Sequence, residues 1–472
     1  MLTCFKAYDV RGRIGVDFDA GIACRIARAF VAETAEAGAA VAGAAVAGMG
    51  ARRVVLARDS RASSAGIAMA VAEALAAVGV EVLDLGLAGT EEMYFATAET
   101  GAVGGICVTA SHNPKDYNGM KLAGTGAAPL PKDVFAAIRA RAEAAGDAPD
   151  GMAARASGGR VTDAAHLRRD YAARIAGMVD RASLRPLRVL FNCGNGAAGP
   201  TLDAVLDALG DVPLAALRMH HEPDGAFPNG VPNPLLPANR PVTARAVLAQ
   251  GADLAVAFDG DFDRCFLFDE TGAFVPGEYV VALLARVFLA REAGARIVHD
   301  PRVVLATRDT VRALGGEAVM ARTGHGYMKQ ALRETGAVYG GEMSAHHYFR
   351  DFHACDSGMI PWLLVLEEIG RSGKSLSELV ASYRAGFPSS GEINYSVSDP
   401  AAAIESVARH YAPLGGQEDH TDGLSLDFGD WRLNLRASNT ESYLRLNVES
   451  RGRPDLVERA VAEIGALLAG VP

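Results

Sequence analysis

Gly104-Gly105-Ile106-Cys107-Val108-Thr109-Ala110-Ser111-His112-Asn113-Pro114 joins a short apolar run to a tight polar loop. A run of this kind, closed by turn residues, reads as a buried strand. Open α/β sheets bind ligands beyond the carboxyl ends of their strands, so the Ser111 hydroxyl is displayed at a ligand-binding edge. Taken alone, the same stretch also fits an ordinary turn.

Outward from this loop the chain repeats itself. Strand candidates come in threes: Val54 to Ala57, Val80 to Leu87 and Gly104 to Thr109; Leu187 to Asn192, Val212 to Met219 and Ala252 to Phe258; Arg296 to His299, Ala318 to Met320 and Ala337 to Gly340. Helix-like segments such as Ser64 to Val78 and Thr310 to Leu314 lie between them. That alternation implies right-handed crossovers and mainly parallel sheets. The expected fold is α/β, with three similar domains at 1–152, 153–273 and 274–385. The segment 386–472 departs from it, with a helix at Ala401 to Tyr411, strands at Leu424 to Phe428, Trp431 to Arg436 and Tyr443 to Glu449, and a helix at Pro454 to Leu468. This predicts an α+β unit with an antiparallel sheet.

Each third strand ends in a polar loop. After Phe258 comes Asp259-Gly260-Asp261-Phe262-Asp263-Arg264, whose alternate carboxylates form an oxygen-rich cage for a hard divalent cation. An EF-hand is excluded, since its sixth position requires glycine and Arg264 stands there. The third loop, Gly341-Glu342-Met343-Ser344-Ala345-His346-His347, offers hydrogen-bond partners for vicinal hydroxyls. Its two histidines, His346 and His347, lack a third metal ligand at a recognisable spacing and read as packing residues or as supports behind the residues that touch a ligand. A fourth loop, Arg436-Ala437-Ser438-Asn439-Thr440-Glu441-Ser442, connects two alternating segments and could surround a phosphate.

Together with Phe5 to Gly12, Asn195 to Pro200, Pro223-Asp224-Gly225 and Thr323-Gly324-His325, these loops resemble the α-D-phosphohexomutases, in particular the bacterial phosphomannomutase and phosphomannomutase/phosphoglucomutase branch. The resemblance runs from about residue 5 to about residue 450. It implies that Ser111 carries a transferable phosphoryl group and that Asp259, Asp261 and Asp263 hold a Mg²⁺ which also touches the Ser111 group. It further implies that Arg264 steadies the transferring group, with His112 and Lys121 as alternatives for proton handling between which the sequence does not choose. Glu342 and Ser344 resemble the sugar-binding loop, and Arg436, Ser438, Asn439 and Thr440 the phosphate loop, with Tyr8, Arg11, Arg302, His325 and Lys329 completing the anion pocket. Two residues depart from the pattern: Ser442 stands where the family commonly has proline, and Arg302 where many dual-specificity members have lysine.

The implied reaction interconverts mannose 6-phosphate and mannose 1-phosphate through a hexose 1,6-bisphosphate that also serves as activator, with action on glucose phosphates and a supply of GDP-mannose for surface polysaccharide. The alternatives are a magnesium-dependent sugar-phosphate phosphatase and a non-catalytic sugar-phosphate sensor; a sensor is expected to have lost the serine or an aspartate, and neither is lost.

Composition narrows the partners. A net charge of −10 argues against general nucleic-acid binding, so an anionic substrate needs a local basic cluster. Six scattered cysteines with no Cys-x-x-Cys pair read as buried thiols in a reducing compartment. No signal-peptide core or membrane span is evident, and a cytoplasmic protein with phosphohexose partners is expected. Gly38 to Gly50, with Gly-Ala-Ala-Val-Ala twice in tandem, reads as a loose insertion or helix extension.

Overall fold

The computed structural model describes residues 1–42, 52–146, 159–437 and 443–469. The chain divides into two compact units, Met1–Ala273 with Asp351–Arg371, and Phe274–Arg350 with Ser372–Pro472.

The first unit holds two mixed sheets. Strands β1 (Val10–Arg13), β2 (Arg53–Arg58), β3 (Glu81–Leu87), β4 (Gly104–Val108), β5 (Tyr117–Gly124) and β6 (Arg160–Asp163) form the first, in the order β1-β5-β4-β2-β3-β6. Its β4-β2-β3-β6 half is parallel, while β5 returns antiparallel beside β4 and pairs antiparallel with β1. In the second sheet β7 (Leu187–Asn192) lies parallel to both β8 (Leu214–Met219) and β9 (Leu254–Phe258), and β10 (Cys265–Asp269) pairs antiparallel with β9. Both β4 and β9 are buried along their whole length, as their unbroken apolar runs require.

Glycine at the head of β4 reflects packing. A Cβ on Gly104 would meet the Phe30 ring at 2.3 Å, and Phe30 is fully buried on the helix Ala20–Ala42 that covers this sheet. Burying such a ring is worth about 2–3 kcal/mol. Gly38 to Ala42 continue that helix, the extension alternative for the repeat; residues 43–50 lie outside the described residues.

In the second unit Arg296–His299 is flanked in parallel by Glu317–Met320 and Tyr339–Gly341, and His347–Phe349 returns antiparallel. The other sheet is antiparallel throughout, in the order Ile393–Tyr395, Leu444–Ser450, Trp431–Ala437, Leu424–Asp427, Gln417–Asp419. Asp399 caps the helix Pro400–Tyr411 by accepting from the Ala401 and Ala402 amides, with proline at the position where no amide is needed. Three mixed α/β sheets and one antiparallel sheet are the architecture the strand pattern predicts. All six cysteines are free, and no helix among the described residues is long and apolar enough to cross a membrane.

Candidate active site

Ser111 lies just past β4 with φ 49°, a left-handed conformation that a non-glycine residue adopts only when its surroundings hold it there. Its amide donates to Thr109 Oγ1 at 2.8 Å, and its hydroxyl donates to Asp259 Oδ2 at 2.7 Å. His112 Nδ1 stands 3.0 Å from the same hydroxyl. The loop after β9 approaches closely because Gly260 has no side chain: a Cβ there would lie 2.4 Å from the Ser111 carbonyl oxygen.

The carboxylates of Asp259, Asp261 and Asp263 are fully buried and can offer ligand atoms within 4.8 Å of one another. Arg264 donates through Nε and Nη2 to Asp259 Oδ2, at 2.9 and 2.7 Å, with Nη2 also 3.4 Å from Ser111 Oγ. Lys121, projecting from β5, pairs with Asp261 Oδ2 at 2.8 Å and with Asp263. Asp261 Oδ2 also accepts from Thr90 at 2.7 Å. The second oxygens of Asp259 and Asp261, Oδ1 in each, are buried without a hydrogen-bond partner. A buried carboxylate oxygen left bare is costly, and a hard cation is the partner that oxygen donors at this spacing suit.

Electrostatics follows from the same contacts. Burial and the charges of Arg264 and Arg11 drive His112 well below its ordinary pKa, so its ring is neutral. Burial opposes the charge on Lys121, yet Asp261 and Asp263 overrule it and raise the ammonium well above its usual value. Asp261 is held below the usual carboxylate range: burial works to raise it, but Lys121, Thr90 and Arg11 prevail. Arg11, with Tyr8 on the same segment, bonds Asn113 Oδ1 at 2.7 Å and Asp9 at 3.0 Å.

The second unit gathers another set. Arg302 is buried and reaches Asp300 at 2.5 Å, Glu342 at 3.3 Å and Ser344 Oγ at 3.2 Å. Glu342 also accepts from the Gly324 amide at 3.0 Å and from Tyr348 at 2.5 Å. Glu392 receives Arg436 at 2.9 Å and Arg445 at 3.2 Å, with Arg302 at 3.6 Å. Arg302 Nη2 alone makes the contacts to Asp300, Glu342 and Ser344, while Nε adds a second bond to Asp300 at 3.0 Å and Nη1 faces Glu392 at 3.6 Å; that paired contact and the reach to Glu392 are what a guanidinium supplies and an ammonium does not. His325 opens the helix His325–Thr335 and Lys329 is buried one turn on. His347 is buried with Nδ1 2.7 Å from Tyr339 OH, and His346 stacks beside Tyr348. Ser438, Asn439 and Thr440, and Ser442 with them, lie outside the described residues.

The structure thus joins Ser111, His112, Lys121, Arg264 and the three aspartates in one place, and Arg302, Glu342, Ser344 and Arg436 in another. Sequence reasoning missed Thr90, Arg61, Glu392 and Arg445. Arg61 stands three residues past the end of β2, and that strand-end position, without a motif around it, was its one signal in the sequence.

A strand-end serine hydroxyl beside a buried carboxylate cage could work next to a bound divalent cation. The description "Phosphoglucomutase/phosphomannomutase, alpha/beta/alpha domain I" matches residues 3–148, domain II residues 169–272, domain III residues 276–385 and the C-terminal domain residues 392–466. The chain is 50% identical over 471 residues to a phosphomannomutase of Salmonella typhimurium, with 99% of each covered. It is 47% identical over 474 residues to a protein of Xanthomonas campestris named phosphohexose mutases, covering 99% of this chain and 100% of the relative. The crystal structure of a phosphoglucomutase/phosphomannomutase family protein from Burkholderia thailandensis superposes with a TM-score of 0.83 at 31% identity, covering 100% of this chain and 99% of that one. The chain belongs to the phosphoglucomutase/phosphomannomutase family, and it is a mutase of the isomerase class.

Proposed function

We propose that this mutase interconverts mannose 6-phosphate and mannose 1-phosphate through a phosphorylated Ser111 and a hexose 1,6-bisphosphate. The observation that carries the reading is the Ser111 hydroxyl, held in a left-handed loop 2.7 Å from Asp259 with Arg264 beside it. In the first half-reaction the bond between Ser111 Oγ and phosphorus breaks as a sugar hydroxyl oxygen bonds to phosphorus, and the hydroxyl proton passes to the protein. In the second, the other phosphate of the bisphosphate returns to Ser111.

Asp259, Asp261 and Asp263, with the Ser111 group, are the residues that would hold Mg²⁺, and the bare buried oxygens of Asp259 and Asp261 support that fit. When bound, the ion supplies positive charge to the transferring phosphoryl oxygens. Arg264 places a fixed guanidinium at the same oxygens. The neutral ring of His112 at 3.0 Å and the charged ammonium of Lys121 divide proton acceptance and donation between them.

In the second unit Glu342 and Ser344 hold the sugar's 3- and 4-hydroxyls, while Arg302 and Arg436 bind phosphate with Ser438, Asn439 and Thr440, helped by His325 and Lys329; Tyr8 and Arg11 are the anion partners in the first. Glucose and mannose differ only at C2, and a site that does not bond the 2-hydroxyl discriminates weakly. We therefore include glucose phosphates among the substrates, domain limits near 152, 273 and 385, and a cytoplasmic role in supplying GDP-mannose for surface polysaccharide.

A coupled assay on mannose and glucose phosphates, with and without the 1,6-bisphosphate, tests the reading. Both epimers should turn over, and the bisphosphate should shorten the lag. A glucose 1-phosphate kcat/KM more than about 10⁴-fold below that of mannose 1-phosphate would require a dedicated 2-hydroxyl contact, and steady release of inorganic phosphate would replace the mutase with a phosphatase.

A further inference from the structure

We infer that Arg61 is a positioning residue that fixes the geometry of the Ser111 loop, an inference that rests on the phosphoserine reading above. Arg61 is 2% exposed, yet its partners are mainly main-chain oxygens. Nη2 donates to the carbonyls of Ser111 at 2.9 Å and Asn113 at 2.6 Å, and Nη1 to those of Pro114 at 2.7 Å and Tyr117 at 2.9 Å. A loop that turns through a left-handed residue points its carbonyls inward, where water does not satisfy them. A guanidinium, with five donors in a rigid fork, meets four such oxygens from one position; an ammonium, with three, does not.

The guanidinium is itself held by an ion pair and a ring. Asp59 Oδ2 stands 3.2 Å from its Nε, and Asp59 Oδ1 is fixed by Ser64 Oγ at 2.5 Å and the Arg61 amide at 3.0 Å. The Phe227 ring covers it at 5.6 Å. Phe227 follows Pro223-Asp224-Gly225, and Gly225 is glycine because a Cβ there would lie 2.4 Å from the Ser60 carbonyl and 2.5 Å from the Ala62 amide. The adjacent Ser60 hydroxyl donates to the Asn195 carbonyl at 3.1 Å, and two residues on the Ala197 amide donates to the Gly260 carbonyl at 3.0 Å. A chain of contacts therefore runs from Arg61 through Asn195 to the loop that carries Asp259 and Asp261. Ser111 is gripped through its carbonyl by Arg61 and abutted at the same carbonyl by Gly260. The residues Asp59-Ser60-Arg61, Asn195 to Ala197 and Gly225 to Phe227 touch no reacting atom, and together they set where the serine hydroxyl meets the aspartate.

Displacing a reacting group by about 1 Å costs about 10²-fold in rate. Arg61→Ala should accordingly lower kcat about 10²- to 10³-fold with KM for the sugar phosphate within about 3-fold, since the sugar's binding groups are untouched. Transfer from hexose 1,6-bisphosphate to Ser111, followed by intact mass, should slow by the same factor. Added guanidinium ion should restore about 10-fold of the loss, a recovery that a general stability role does not give. Arg61→Lys keeps the charge facing Asp59 without the fork and should fold with kcat at least about 10-fold down. Folded variants with native kcat, a loss confined to KM, or no response of folded Arg61→Ala to guanidinium would overturn the assignment, as would failure of both variants to fold, which makes Arg61 a folding residue. Absence of phosphate on Ser111 in the wild type would instead remove the reading beneath it.

Discussion

The two polar centres of this chain are built on opposite principles. Around Ser111 three buried aspartates pair with two cations: Asp259 and Asp261 each keep one buried oxygen bare although Arg264, Lys121 and Thr90 crowd the other. In the second unit Arg302, Arg436 and Arg445 are answered by Asp300, Glu342 and Glu392. The first centre offers carboxylate oxygens that could hold a cation and takes its shape from strained backbone, with Ser111 and Phe262 both at positive φ. In the second each of these arginines faces a carboxylate of its own unit, so on the proposed reading an incoming phosphate competes with Glu392. On the proposed reading the first centre, holding an ion, can be rigid, and the second, taking either end of a sugar bisphosphate, has to exchange partners.

The sharpest way to break this contrast is to remove the charge at the first centre. Asp261→Asn should cut activity about 10³-fold, as losses of preorganised charge do, and weaken Mg²⁺ binding measured by calorimetry. Full activity after chelation would contradict the cage. Gly260→Ala forces a methyl to within 2.4 Å of the Ser111 carbonyl, and should cost about 10² in kcat by moving the serine from Asp259; a native kcat would mean the two loops need no close contact.

At the second centre Glu392→Gln takes away the internal competitor. Inorganic phosphate should bind about 10-fold more tightly, about 1.4 kcal/mol, and weaker binding would mean that Glu392 organises the arginines rather than occupying them. The smallest effect concerns acid stability. Burial, aided by Arg308, lowers His299 to about 4, and burial with His346 lowers His347 to about 3. Their unfolded pKa is near 6.5, so the unfolded chain takes up protons first as pH falls. The stability these neutral rings provide is complete above 6.5 and declines below it at about 1.4 kcal/mol per pH unit for each histidine. Urea titrations of His347→Asn between pH 6.5 and 5 should therefore have a shallower pH slope than the wild type, and equal slopes would remove His347 from the account.

Legibility differed in the same way. The central strands were readable because each is an apolar run closed by turn residues: Leu187 to Asn192 is β7, and Val54 to Ala57 lies within β2. The antiparallel β5 was not, since Tyr-Asn-Gly-Met-Lys-Leu-Ala-Gly mixes polar residues and glycine where periodicity is sought, and its Lys121 points at buried aspartates rather than water. The exposed four-residue β6 carries no apolar signal at all. Ser111 and the aspartates stood out because each set is contiguous. Glu392 did not, because its meaning lies in arginines 44 and 53 residues away. Arg61 escaped because a buried arginine bonded to main-chain carbonyls has no pattern of its own.

The central claim is that Ser111 carries the phosphoryl group in turnover. The direct measurement is peptide-level mass spectrometry of the wild type after incubation with a hexose 1,6-bisphosphate, alongside Ser111→Ala. The account predicts one phosphate per chain, located on Ser111, discharged by excess mannose 6-phosphate, and absent from a folded, inactive Ser111→Ala. Stoichiometric phosphate on another residue, or a Ser111→Ala variant that still turns over, would contradict it.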